Sequence, residues 1–180
     1  MIDPKAPLPE LRDKSIYLAI RMYLQGETEP RIALIEVPSD LVGRFVQLPR
    51  YGKQYLMYLE DLIRYNLNYI LFIFNIEKIE AHTIKITRDA ELDLDDDVSK
   101  GFLEKMTSSV KNRRIGDPVR FVHDQEIAPD VLNLLIDRID LDNFDSLIPG
   151  GRYHNKKDLI KFPDLGNPEL EFERFPVYNH

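Results

Sequence analysis

Cations recur at three places in this sequence where they could meet an anion. Arg88 closes the alternating run Ile84-Lys85-Ile86-Thr87-Arg88. Lys100, Thr107, Lys111 and Arg114 follow at steps of 7, 4 and 3, the spacing of one helical face, with Arg113 nearer the apolar side of Leu103, Met106 and Val110. The third is Gly150-Gly151-Arg152-Tyr153-His154-Asn155-Lys156-Lys157, where glycines would let backbone amides approach a ligand and Arg or Lys would hold an oxyanion. Each has a plainer alternative. Arg88 either pairs with Asp89 or Glu91 or faces an anionic ligand, the helical face is a solvated one, and the glycine segment is a turn into a helix without the spacing of a phosphate loop.

Other chemistry is less well supplied. His82, His123, His154 and His180 show no metal-ligand spacing and no Ser/His/Asp signature. Asp93, Asp95, Asp97, Ser99 and Glu104 fall at positions 1, 3, 5, 7 and 12 of a calcium loop, but Val98 stands where the tight turn needs glycine. The acidic run from Asp89 to Asp97 therefore reads as solvated carboxylates at a helix start. With no cysteine, a disulfide scaffold, a thiolate zinc site and a cysteine nucleophile are excluded, and a reducing cytoplasm is the expected setting. A formal charge of -7 argues against general nucleic-acid binding while leaving room for a local phosphate site. No apolar run reaches membrane-spanning length, and Met1-Ile2-Asp3-Pro4 lacks the features of a signal peptide, so a soluble chain is expected.

The elements that must position these residues are those of an α+β domain, within the 180 residues that suit one core. Residues 1–14, with three prolines, form a lead-in. Alternation predicts strands over 15–24, 31–37, 76–87 and 119–123, the first pair a hairpin, with a short extended piece near Phe45 to Leu48. In the strand 76–87, His82, Ile84, Ile86 and Arg88 share one face, and Thr83, Lys85 and Thr87 the other. The 3-and-4 recurrence of Leu59, Leu62, Ile63, Leu67, Ile70 and Leu71 predicts a helix over 58–73, with Glu60 and Asp61 favoured by its dipole. Two more main helices are expected over 98–114 and 129–139, Pro129 standing at the first helical position. Pro149-Gly150-Gly151 reads as a sharp turn, 155–162 as a brief helix, and 163–180 as an extended tail.

Several ordered stretches resemble the middle, or head, domain of bacterial polyphosphate kinase of the first type. They are Leu34 to Asp40, Arg44 to Pro49, Thr87 to Glu91, Met106 to Arg113, Pro118 to Val122 and Asp145 to Asp158. Together they place the domain at 15–162, between the lead-in and a tail toward further domains. What the resemblance implies is an enzyme that moves the terminal phosphoryl group of ATP reversibly onto inorganic polyphosphate, with magnesium, through a phosphohistidine. The family's catalytic histidines sit in C-terminal domains that have no counterpart here, so no catalytic residue and no bound cofactor is expected in this chain. An N-terminal helical domain that helps hold the nucleotide is expected to be missing as well. Arg88, Lys111, Arg113, Arg114 and Arg152 become candidates for polyphosphate contact or domain-interface pairing. A homo-oligomer is expected, as are polyphosphate and ATP as partners of the parent enzyme, with neither nucleic acid nor a membrane span. The alternative is a structural or dimerisation module without activity of its own.

Overall fold

A computed structural model describes residues 8, 11–49, 52–88, 118–139, 147–166, 169, 171 and 172. A five-stranded sheet organises them, built from β1 (Ile16–Leu24), β2 (Arg31–Val37), β5 (Ile76–Arg88), β6 (Pro118–Asp124) and β7 (Leu147–Gly150), in the order β2-β1-β5-β6-β7. All neighbours run antiparallel except β6 and β7, which are parallel. A two-stranded sheet pairs β3 (Phe45–Gln47) with β4 (Leu56–Tyr58). The helices are α1 (Ser39–Val42), α2 (Leu59–Tyr65), α3 (Leu67–Ile70), α4 (Pro129–Ile139) and a 3₁₀ helix, Lys156–Lys161.

β1 is buried on both faces, so its alternation separates two cores rather than core from solvent. Ile16, Leu18, Ile20, Met22 and Leu24 pack with Leu59 of α2 and Leu67 of α3. Tyr17 and Ala19 face the other way, joining Ile84, Ile86, Phe121 and the Val131 and Leu135 stripe of α4. Arg21 fastens α4 to the sheet, its guanidinium 3.0 Å from Asp130 and 3.5 Å from Glu80.

Three expectations change. The helix predicted over 58–73 is broken at Asn66, whose backbone N–H and side-chain amide both donate to the Leu62 carbonyl, closing α2 before one further turn as α3. Its first residue, Tyr58, also gives way to a strand, because Leu56–Tyr58 pairs with Phe45–Gln47. Pro149-Gly150 is not a turn but part of β7, and proline is tolerated there because β7 lies at the sheet edge. The helix predicted over 98–114 and the acidic run before it lie outside the described residues. At the end of β5 the register shifts between Thr87 and Arg88, so the strict alternation that aligned Arg88 with Ile84 and Ile86 ends one residue before it.

Candidate functional site

The chain leaving β7 at Gly151 returns over the face that α2 covers, and its polar side chains meet those at the start of α2. Asp61 is the point of convergence. Arg152 reaches its Oδ1 through Nη2 at 2.9 Å, and the Tyr153 hydroxyl donates to its Oδ2 at 2.7 Å. Arg64, one turn along α2, also donates to Asp61. The same guanidinium donates to the Ala81 carbonyl at 3.1 Å and Thr83 Oγ1 at 3.0 Å, tying helix to sheet. Burial, and after it the charge of Arg152, holds the Arg64 pKa below its ordinary value.

Beside this lies a second, deeper centre. Glu60 has no exposed surface, and the nearly buried Arg44 donates to it through Nη2 at 2.5 Å and Nε at 3.1 Å. Arg44 Nη1 reaches the Asn155 carbonyl at 2.9 Å and Asp158 Oδ2 at 3.3 Å. A buried ion pair persists only where further hydrogen bonds satisfy it, and here they come from a segment 111 residues downstream. Asn155 is held in the left-handed region (φ 59°) with both ends of its amide engaged. Its Oδ1 accepts from Lys85 Nζ at 3.0 Å and its Nδ2 donates to Asp158 at 2.8 Å. Burial and the neighbouring Lys157 charge push the Lys85 pKa down. A row of rings, Phe162 on Phe45, Phe45 on Tyr58 and Tyr58 on Tyr153, spans both centres at centroid separations of 5.1, 5.4 and 4.8 Å.

His154 is 6% exposed, and its Nε2 must carry the proton, since it faces the Gly151 carbonyl at 2.8 Å. Nδ1 is buried without a hydrogen-bond partner. Protonating it would place a charge in an enclosed site, and burial accordingly lowers the pKa from the ordinary 6.5. The Gly151 carbonyl and Asp124 act against that shift, and Lys85 and Arg44 with it. Because the unfolded chain then binds the proton more readily, the stability contributed by neutral His154 is present above about pH 6.5 and is lost as pH falls through the lowered folded value. Thermal unfolding between pH 7 and 5 is expected to show a falling midpoint, and His154→Gln to flatten the slope; identical slopes would count against this assignment.

Of the residues singled out from sequence, Arg152 is brought into the site and is already paired to Asp61. His154 stands two residues beyond it as a buried structural group. Arg88 ends β5, with nothing described of its side chain, and Lys111, Arg113 and Arg114 lie outside the described residues. Sequence reasoning missed Arg44, Arg64 and Lys85, and credited Glu60 and Asp61 to the helix dipole alone. Asn155, read from sequence only as the start of the brief helix, is instead the left-handed residue before it, a conformation that asparagine tolerates.

Comparison with known proteins gives a consistent picture. The family model described as polyphosphate kinase middle domain matches residues 1–162. A polyphosphate kinase of Escherichia coli K12 is 37% identical over 185 aligned positions, covering 100% of this chain and 27% of the relative. One from Vibrio parahaemolyticus is 38% identical, covering 92% of this chain and 24% of the relative. Among solved structures, the polyphosphate kinase of Porphyromonas gingivalis superposes with a TM-score of 0.71 at 27% identity, covering 97% of this chain and 24% of that one. The chain thus spans about a quarter of the length of these relatives.

Proposed function

The chain belongs to the polyphosphate kinase family, as its middle domain, and from that premise we propose that it serves a larger enzyme. That enzyme reversibly transfers the terminal phosphoryl group of ATP to inorganic polyphosphate, and the phosphohistidine of the reaction is carried outside this chain. The observation behind this is the state of the described histidines. His123 and His154 are buried, and His82 is half-buried with Nδ1 3.5 Å from Asp124. A phosphoryl acceptor has to present an accessible nitrogen in line with the γ-phosphorus, and burial of His123 and His154 works against that. His180 lies outside the described residues.

The middle domain then acts as scaffold and cationic lining, with Arg88, Lys111, Arg113, Arg114 and Arg152 serving polyphosphate contact or domain pairing. ATP and magnesium belong to the parent enzyme. Among the described residues no group of three or more His, Asp or Glu side chains is arranged to hold a metal, so no step is routed through magnesium here. A cytoplasmic homo-oligomer completes the proposal; no helix among the described residues is long and apolar enough to cross a membrane.

Incubated with ATP labelled at the γ-phosphate, the chain is expected to gain no acid-labile label. Label on His82, His123, His154 or His180 would overturn the assignment. A second function, as a docking or dimerisation module, is favoured by Tyr65, Tyr69, Phe72 and Ile73, each more than 70% exposed around α2 and α3. Sizing the same sample tests it: a stable dimer supports it and a monomer at every concentration counts against it.

A further inference from the structure

Arg152 is matched by Asp61, but the cations that follow it on the same segment are not matched. The ammonium groups of Lys157 and Lys161 have no hydrogen-bond or ion-pair partner among the described residues. Both line a cleft of about 470 Å³ between the Asp13–Ser15 turn, α1 and the 3₁₀ helix, and Lys14 adds a third cation to its wall. An adjoining hollow of about 200 Å³ shares Lys161 and brings in Arg44. The three lysines share this lining with Asp13, Asp40 and Asp158, so its formal charge balances, in a chain of net charge -7.

The backbone marks the same place. Among the described residues, the two non-glycine residues in the left-handed region are Lys14 (φ 61°) and Asn155 (φ 59°), and both line this cleft. Such conformations are costly and persist where their surroundings enforce them, which is a recurrent property of ligand clamps. The Lys14 N–H is fixed to the Ile86 carbonyl at 3.0 Å, and Asn155 is fixed by Lys85, Arg44 and Asp158.

The carboxylates in the lining do not cancel this charge equally. Asp13 lies 3.3 Å from Lys14, and Asp158 accepts from Arg44 and Asn155. Asp40 has no such partner among the described residues and faces the same space. We propose that this cleft is a subsite for a condensed-phosphate segment, held by Lys14, Lys157 and Lys161, with Asp40 limiting its affinity. The proposal rests on the reading of the parent enzyme given above, and it assigns the contact to residues distinct from the four arginines and one lysine named there. The phosphate could belong to an inorganic chain or to the tail of a nucleoside triphosphate, which present the same oxygens.

The test is binding of the 180-residue chain to inorganic tripolyphosphate, long-chain polyphosphate and ATP across a salt series. Lys157→Glu with Lys161→Glu is expected to weaken binding at least about tenfold and to lower the log-log salt slope by roughly 2, about one per lost contact. Asp40→Asn is expected to strengthen it. Lys53→Glu with Lys78→Glu makes the same charge change away from the cleft, and should leave affinity within about twofold. Tighter binding of the inorganic chains assigns the subsite to them, and tighter binding of ATP assigns it to the nucleotide tail. Equal weakening in both double variants, or none in Lys157→Glu with Lys161→Glu, overturns the subsite while leaving the family-level function intact. Absence of binding to the unaltered chain, with its fold checked by circular dichroism, overturns the subsite and also removes polyphosphate contact from this domain, whatever the labelling experiment shows.

Discussion

Glu60→Ala is expected to destabilise the domain by about 3–5 kcal/mol, because it strips the counter-charge from a nearly buried arginine. Arg44 and Glu60 are 6% and 0% exposed. The substitution leaves the guanidinium with Asp158 at 3.3 Å, the Asn155 carbonyl and the Tyr58 ring 4.9 Å away, none of which replaces the 2.5 Å contact. Against a typical domain stability of about 5–15 kcal/mol, that is a large share. Removing both charges tells the pair apart from the burial it occupies. Arg44→Met with Glu60→Leu should recover much of the loss, since two apolar groups of similar volume need no desolvated charge to be matched. Urea unfolding of the two single variants and the double closes the cycle. A cost below about 1 kcal/mol for Glu60→Ala would mean that water reaches Arg44, contrary to its burial.

Phe121→Ala is expected to cost a further 3–5 kcal/mol by itself, about the range for large core aromatics. Phe121 has no exposed surface and stands opposite Ile86 of β5 and Leu147 of β7, in the core shared with Val131 and Leu135. It is therefore the side chain under which the sheet changes from antiparallel to parallel. The cavity should loosen β7 more than the β1–β2 pair, which shares no register partner with it. Hydrogen exchange reads this directly: amides of β6 and β7 should lose more protection than those of β1 and β2. Uniform loss across the sheet would mean that the two cores unfold as one unit.

How much of this could be read beforehand depends on range. β1, β2 and β5 declare themselves through alternation, and α4 through its apolar stripe with Pro129 at the start. β4 is three residues long, too short for any period, and so is its partner β3. The Tyr58 to Ile73 pattern is helical throughout, yet α2 gives way to α3 at Asn66, whose side-chain amide shares the Leu62 carbonyl with its own backbone N–H. The site was less legible still. Arg152 stood out by its neighbours, but Asp61, 91 positions away, did not, and Arg44 meets Asn155 across 111. Such partners are selected by the folded sheet, which no local spacing records. Of the unmatched lysines of the cleft, Lys157 was visible only as the end of the glycine segment, and Lys161 was not singled out.

The pairing of β1 with β5 has a consequence for the order in which the domain can be made. Ile16 faces Lys85, 69 positions later, whereas Ile16 faces Val37 only 21 positions later. On a ribosome, the β1–β2 hairpin is therefore complete while the other edge of β1 still waits for residues not yet translated, and loop closure over that span is slow. During that interval an apolar strand destined for the middle of the sheet is an edge strand, open to pairing with another nascent chain. The hazard ends when β5 emerges.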